Sequence, residues 1–324
     1  MSEGMRFSIE LPPKDPLWRL QIYAHLADRL SFHTIWLSDH YFNRNTVVAA
    51  SVIAGVTKRL RIGLGIMNPY LYHPVWMAQA AATLSELAPE RVSLGIGAGD
   101  RLALDSLGIR QVDPVERVRE AVRTIRETLR GGADERSRLD FKPWGRIPIY
   151  VAAQGEKLLR LAAEAGDGVL INSSWLHEPV RPVRIVREAL AGLARDEKDF
   201  SVEMEALVSI HEDRQKARKT VKPYVGVVSQ GIPQRLSGEL GIRPETLSRI
   251  REMVLRRNWL EIHRVVPDEM VDLFAIAGNP KHVEERVEDL LGSGLDGVVF
   301  GGPLGPTPRR AIIELDRILR GLSR

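Results

Sequence analysis

Short apolar runs recur along the chain, and several end on polar groups that a packed core would exclude: TIWLSDH at 34–40, LRIGLGIMNP at 60–69, VSLGIGAGD at 92–100 and IPIYVAAQG at 147–155. Runs that are apolar on both faces read as strands buried on both sides of a parallel sheet. Amphipathic segments separate them. RFSIEL precedes LWRLQIYAHLADRL, TIWLS precedes NTVVAASVIAGVTK, LRIGLGI precedes PVWMAQAAATLSEL, and VSLGI precedes VERVREAVRTIRETLR. IPIYV, DGVLI, MEALVSI and DGVVF extend the series to eight strand candidates, each followed by a helical or insert-bearing stretch. Strand starts near residues 6, 34, 61 and 92 recur at about the 30-residue length of a βα unit. The pattern predicts one domain over residues 1–324, an eight-stranded (β/α)8 TIM barrel of the α/β class. The polar endings Asp39 with His40, Asn68, Asp100, and Gln154 with Gly155 then collect at the C-terminal mouth, where barrel chemistry sits.

Two stretches interrupt the repeat. Residues 131–146 (GGADERSRLDFKPWGR) form a turn-rich insert. Residues 211–278 are too long for one crossover and contain helical patterns in KARKTVKPYVGVVSQG, RPETLSRIREMVLRRNWLEIHRVV and PDEMVDLFAIAG, punctuated by Pro233, Gly238 and Gly241. They predict a helical insertion between strands 7 and 8, which either extends the outer helical layer or encloses a ligand at the mouth.

Composition narrows the chemistry. The chain has no cysteine, so disulfides, thiolate metal sites, iron–sulfur clusters and cysteine nucleophiles are excluded together. No stretch approaches the roughly 18 apolar residues of a membrane span, and the N-terminus runs into a strand-like segment instead of a signal peptide, so a cytoplasmic location is expected. The 46 basic and 42 acidic residues leave a net charge of only +4 and are mostly interspersed, which argues against nucleic acid as a partner. One local excess stands out. Arg214, Lys216, Arg218, Lys219 and Lys222 form either a solvated face or a dock for an anionic cofactor tail.

Nucleotide and metal motifs fail on inspection. GIGAGD at 95–100 has Asp100 where a dinucleotide fingerprint needs its third glycine, and GLGIMN at 63–68 lacks the spacing. There is no GxxxxGK[ST] and no HExxH, and Asp39 and His40 would point to opposite faces of a strand, so no metal site is expected. His40 is either a satisfied histidine of the mouth with no catalytic role or a cofactor contact. Asp39, an unpaired carboxylate after IWL, needs a hydrogen-bonding ligand or water to offset its desolvation. Glu10 ends the first strand and Asp100 follows the fourth, so a barrel brings both to one mouth, where two carboxylates can be driven to different pKa values.

At these residues the chain resembles the deazaflavin-dependent methylenetetrahydromethanopterin reductases of the bacterial luciferase-like barrel superfamily, nearly end to end. The carriers are FSIE, SDHY at 38–41, NPY at 68–70, GIGAGDRLALDSLGI at 95–109, AAQG at 152–155, LINSS at 170–174 and GGPLGP at 301–306. The resemblance implies that reduced coenzyme F420 lies in the mouth and gives a hydride to the methylene group of a tetrahydromethanopterin adduct. It assigns Asp39 and Asn68 to the deazaflavin ring and its side chain, and Gln154, Gly155, Lys157 and Leu158 to the phosphate. It also implies a non-prolyl cis peptide at Gly65–Ile66, bulging against the ring. The chain departs from the family after AAQG, where Glu156 places a carboxylate near the expected phosphate and Lys157 follows.

On this basis Glu10 or Asp100 is expected to protonate a pterin nitrogen while the other carboxylate stabilises the developing cation. Rival readings are another F420- or FMN-dependent oxidoreductase of the same barrel, and a noncatalytic protein that binds the cofactor. A homo-oligomer, dimer or higher, is expected, with the Ala-rich helix MAQAAATLSEL at 77–87 as a candidate interface.

Overall fold

The computed structural model describes residues 4–40, 42–132, 134–135, 137–232 and 234–322; Tyr41 of the SDHY segment and the turn residue Pro233 fall outside them. Among the described residues nine strands form: β1 (Arg6–Glu10), β2 (Thr34–Leu37), β3 (Arg61–Met67), β4 (Val92–Ile96), β5 (Ile149–Ala153), β6 (Gly168–Ile171), β7 (Ser201–Ile210), β8 (Ala275–Gly278) and β9 (Gly297–Leu304). Parallel pairing runs β1 through β7 in order, then β7 to β9 and β9 to β1, which closes an eight-stranded barrel. The eight strands expected from the sequence are the eight of the ring.

Helices clothe the barrel: α1 (Leu17–Asp28), α2 (Thr46–Ala54), α3 (Pro74–Leu87), α4 (Arg101–Ser106), α5 (Pro114–Leu129), α6 (Glu156–Ala165) and α7 (Val180–Gly192). They are followed by α8 (Arg214–Ser229), α9 (Gln234–Glu239), α10 (Pro244–Leu255), α11 (Trp259–Val265), α12 (Asp268–Phe274), α13 (Pro280–Leu291) and α14 (Pro308–Leu322). Many begin on a polar cap just after a strand. Asn45 accepts from the amides of Val47 and Val48, and Asp213 from those of Gln215 and Lys216.

The hydrophobic core is the shell between strands and helices. Phe7, Ile9, Ile35, Leu37, Ile62, Leu64, Leu94 and Ile96 face outward into it. The inward positions are of another kind. Arg6, Ser8 and Glu10 alternate with the core residues of β1, and Glu203 and Glu205 alternate with Val202, Met204 and Ala206 on β7. At the barrel floor Arg6 donates to Ser201 (2.6 Å), Ser201 donates to Glu203 (2.9 Å), and Tyr150 lies 3.5 Å from the same carboxylate. Above this layer Trp36 fills the barrel. It packs where Gly63 and Gly65 have no side chain, and it meets Tyr150 edge to face with ring centroids 5.4 Å apart.

The insertion departs from its expected all-helical form in one place. Of PDEMVDLFAIAG, the first half is α12, but AIAG is β8, a parallel strand laid on Leu207–Ile210 of β7 outside the ring. All four of its residues are buried, so the segment has no polar face for a surface helix and satisfies its backbone by joining the sheet. The remainder, α8 to α12, reaches across the mouth. Tyr224 of α8 lies beside Gly302 at the β1 side, Gly231 beside Gln154 at the β5 side, and Arg257 stacks 4.9 Å from the Phe42 ring centroid after β2. Of the two readings of this segment, enclosure of the mouth is the one the contacts favour.

Candidate active site

The loop after β2 carries the most exposed need for a ligand. Thr46 Oγ1, in the first turn of α2, donates to Asp39 Oδ1 at 2.8 Å, and Tyr72 reaches the same oxygen at 3.5 Å. Asp39 Oδ2 is buried and has no hydrogen-bond partner. Burial raises the pKa of this carboxyl, against the opposing pull of Thr46 and Tyr72. A ligand N–H or hydroxyl above Asp39 would satisfy the vacant acceptor.

The neighbouring loop is locked from below. Asn68, 7% exposed, accepts from the Tyr70 amide (2.9 Å), and its amide occupies the space that a side chain on Gly99 would need. Arg117 of α5 donates to the Pro69 carbonyl at 2.9 Å, and Tyr70 donates to the Val112 carbonyl. The Gly65–Ile66 peptide is cis, with a register shift between Leu64 and Met67 against β4, as the resemblance implied. Ile66 covers Gly95 and Gly97, whose bare backbones make room for it.

Glu10 stands at the top of β1 with Ser38 and Lys14 close by, and burial raises its pKa against their opposing effects. The carboxyl brought to it is Glu205 of β7. Asp100 does other work: it is exposed and caps α4, accepting from the Leu102 amide at 2.8 Å. The expected Glu10–Asp100 pair is therefore replaced by Glu10–Glu205, because an N-cap turns the Asp100 side chain back onto its own helix. His40 lies at the rim, stacked on Phe42 with ring centroids 5.2 Å apart. Desolvation within the mouth and the Lys14 ammonium lower its pKa to about 4, so it is neutral at neutral pH although solvent reaches its edge.

Across the mouth, Gly155 caps α6 with no side-chain acceptor, leaving the first amides of the helix open to an anion. Gly155, Glu156, Lys157, Leu158, Arg160 and Val115 line a cleft of ≈ 530 Å³ there. Arg160 binds Glu156 at 2.8 Å, which neutralises the carboxylate that departs from the family pattern, while Lys157 is exposed and forms no ion pair among the described residues. The backbone of Gln154 is fixed from behind, its main-chain carbonyl accepting from Trp175 Nε1 at 2.6 Å.

The basic cluster of α8 is partly spent inside the fold. Arg218, 5% exposed, binds Asp272 at 2.6 Å, and Lys222 binds Asp268 at 2.7 Å, so two of its five cations tie α8 to α12. Glu205, Ser38, Tyr72 and Lys14 were not singled out from the sequence. For Glu205 a signal existed: two glutamates at i and i+2 in an otherwise apolar strand mark the inward face of a barrel.

Comparison with known proteins agrees with this geometry. Residues 5–297 match the profile of the luciferase-like monooxygenase family. The chain is 36% identical to the 5,10-methylenetetrahydromethanopterin reductase of Archaeoglobus fulgidus, over 95% of this chain and 96% of that one. It is 32% identical to the reductase of the same name from Methanolobus tindarius, over 95% and 97%. The solved coenzyme F420-dependent tetrahydromethanopterin reductase of Methanopyrus kandleri superposes with a TM-score of 0.84 at 28% identity, covering 97% of this chain and 98% of that one.

Proposed function

The chain belongs to the luciferase-like monooxygenase family, and from that premise we propose that it transfers a hydride from reduced coenzyme F420 to 5,10-methylenetetrahydromethanopterin, yielding the methyl-pterin and oxidised cofactor. The observation that carries this reading is the full-length likeness to reductases that bear that name. The unpartnered oxygen of Asp39 supports the fit of the cofactor, since a deazaflavin ring and its hydroxylated side chain supply the missing donor. When bound, a deazaflavin supplies two-electron hydride chemistry, because carbon stands where a flavin has its reactive nitrogen.

The protein's own residues bind, orient and protonate. Asp39 and Asn68 hold the ring and side chain, and the Gly65–Ile66 bulge backs the ring. Gln154, Gly155 and Leu158 present the start of α6 to the phosphate, with Lys157 adding a positive charge. Glu10 holds the proton delivered to the pterin nitrogen as the methylene C–N bond opens, and the electron pair of that bond stays on nitrogen. Asp100 and His40 line the rim on which the pterin rests, and α8 to α12 exclude water from the transfer. Anaerobic oxidation of reduced F420 on adding methylenetetrahydromethanopterin, followed by absorbance, is the test. No oxidation with this pterin, while reduced F420 still binds, would defeat the substrate assignment.

We also propose a homo-oligomer. The small-residue face of α3 is already used within the subunit, since Met77, Ala78, Ala81 and Ala82 are buried against the protein's own core. The surface left over is a run of apolar side chains on consecutive, mutually packed helices: Trp18 (57% exposed) and Ile22 on α1, Val48 on α2, and Trp76 (67% exposed) on α3. A second copy of this chain covers it in this reading. Light scattering behind size exclusion should give a dimer or higher for the wild type and monomer for Trp76→Asp; a monomeric wild type ends the proposal.

A further inference from the structure

Glu10 and Glu205 meet over a gap left by glycine. Glu10 ends β1, Glu205 points inward from β7, and β9 runs between them with Phe300 in register with both Ile9 and Ala206. The next residue of β9 is Gly301. A methyl group there would lie 3.1 Å from Glu10 Oε2 and 3.1 Å from Glu205 Oε1, so the two carboxyls crowd over the same bare backbone. Two ionised carboxylates crowded in this way would repel each other and could only accept, so the arrangement favours one proton between them.

Apart from Lys14, the flanking strands offer nothing to neutralise a pair of charges. β2 contributes Trp36, the loop after it Ser38, and β9 Val299 and Gly301, none of which is titratable near neutral pH. Lys14, in the loop after β1, favours the ionised form of Glu10 and donates to the Tyr224 hydroxyl of α8 at 3.4 Å. Glu203, one inward position lower on β7, is committed to Arg6, Ser201 and Tyr150. Neither Glu10 nor Glu205 forms an ion pair among the described residues.

We propose that Glu10 and Glu205 share one proton across the barrel mouth, Glu205 being the positioning residue that keeps Glu10 loaded as the acid. The inference rests on the reading of Glu10 as proton donor. Burial, and for Glu205 the adjacent Glu10, act in the required direction by favouring the protonated form. When the proton passes to the pterin nitrogen and the methylene carbon becomes an iminium, the pair is left with one more negative charge. That charge faces the cation formed in the same step, and water later restores the proton. The pair thus supplies both the proton and the stabilising charge that the sequence divided between Glu10 and Asp100.

The test is an infrared titration of the full-length protein, following the carbonyl stretch of a protonated carboxyl, beside the pH–rate profile of F420 oxidation. Wild type should retain the band at neutral pH. In Glu205→Gln the repulsion is gone, so the band and the pH at which turnover falls should both move down by at least about one unit, with KM for the pterin little changed. Gly301→Ala, which keeps both carboxyls but forces them apart, should move both readouts the same way if Glu205→Gln does not fold. A wild-type band missing at neutral pH, or a band and profile unmoved in the variants, overturns the proposal. Absence of pterin-dependent turnover with the band intact would instead overturn the assigned reaction and leave the shared proton standing.

Discussion

Thr46 donates to one oxygen of Asp39 at 2.8 Å while the other, buried, oxygen of that carboxylate accepts from no group. The first bond fixes the side chain's rotation and the second oxygen is thereby aimed, at the cost of its own desolvation. Asp39→Ala should weaken binding of oxidised F420 by about 10- to 100-fold, the range for a hydrogen bond to a charged group. The midpoint of thermal unfolding should not fall, since a buried unpaired acceptor is removed. Unchanged affinity in a fluorescence titration would remove Asp39 from the cofactor site.

Gly99 has φ +74° and its missing side chain is the space into which Asn68 packs. Gly99→Ala should cost about 1–3 kcal/mol in urea denaturation, through both the backbone conformation and the displaced amide. It should also weaken F420 binding, because Asn68 and the loop after β3 move together. A variant as stable and as tight as wild type would contradict this.

At the barrel floor, Glu203 is 2% exposed and depends on Arg6, Ser201 and Tyr150. Arg6→Met should destabilise the fold by about 3 kcal/mol, because it strands a buried carboxylate, whereas adding Glu203→Leu should recover most of that loss. Equal stability of the single and double variants would mean that the pair carries no coupling.

His33 sets an acid limit on stability. Burial, and then the charges of Arg6, Arg61 and Arg59, lower its pKa from 6.5 to about 4. Between those values the unfolded chain binds more protons than the folded one, so this contribution is intact above about pH 6.5, erodes as pH falls and is lost near pH 4. Denaturant midpoints measured across that window should fall on acidification, and the slope should lessen in His33→Asn.

Lys157 flanks the open start of α6 without an ion-pair partner among the described residues, whereas the neighbouring Glu156 is held by Arg160. Lys157→Ala should reduce F420 affinity several-fold, with the deficit shrinking as salt rises. A deficit that is the same at all salt concentrations would point to a packing role.

The sequence alone determined the ring. Strands such as Ile149–Ala153 and helices such as α5 follow from periodicity and flanking turns, which are local properties, and strand order in a barrel follows chain order. It also placed Asp39, Asn68 and Gln154 at the mouth, since each lies within two residues of the end of a strand. β8 escaped because four apolar residues at a helix end carry no periodicity long enough to choose between helix and strand. Only the tertiary structure decided which groups at the mouth touch. Asp100 and Glu205 are equally acidic in the sequence, but a backbone amide claims Asp100, while Gly301 leaves the space in which Glu205 and Glu10 come together. Such choices depend on side-chain contacts between strands nearly two hundred residues apart, and no local pattern encodes those.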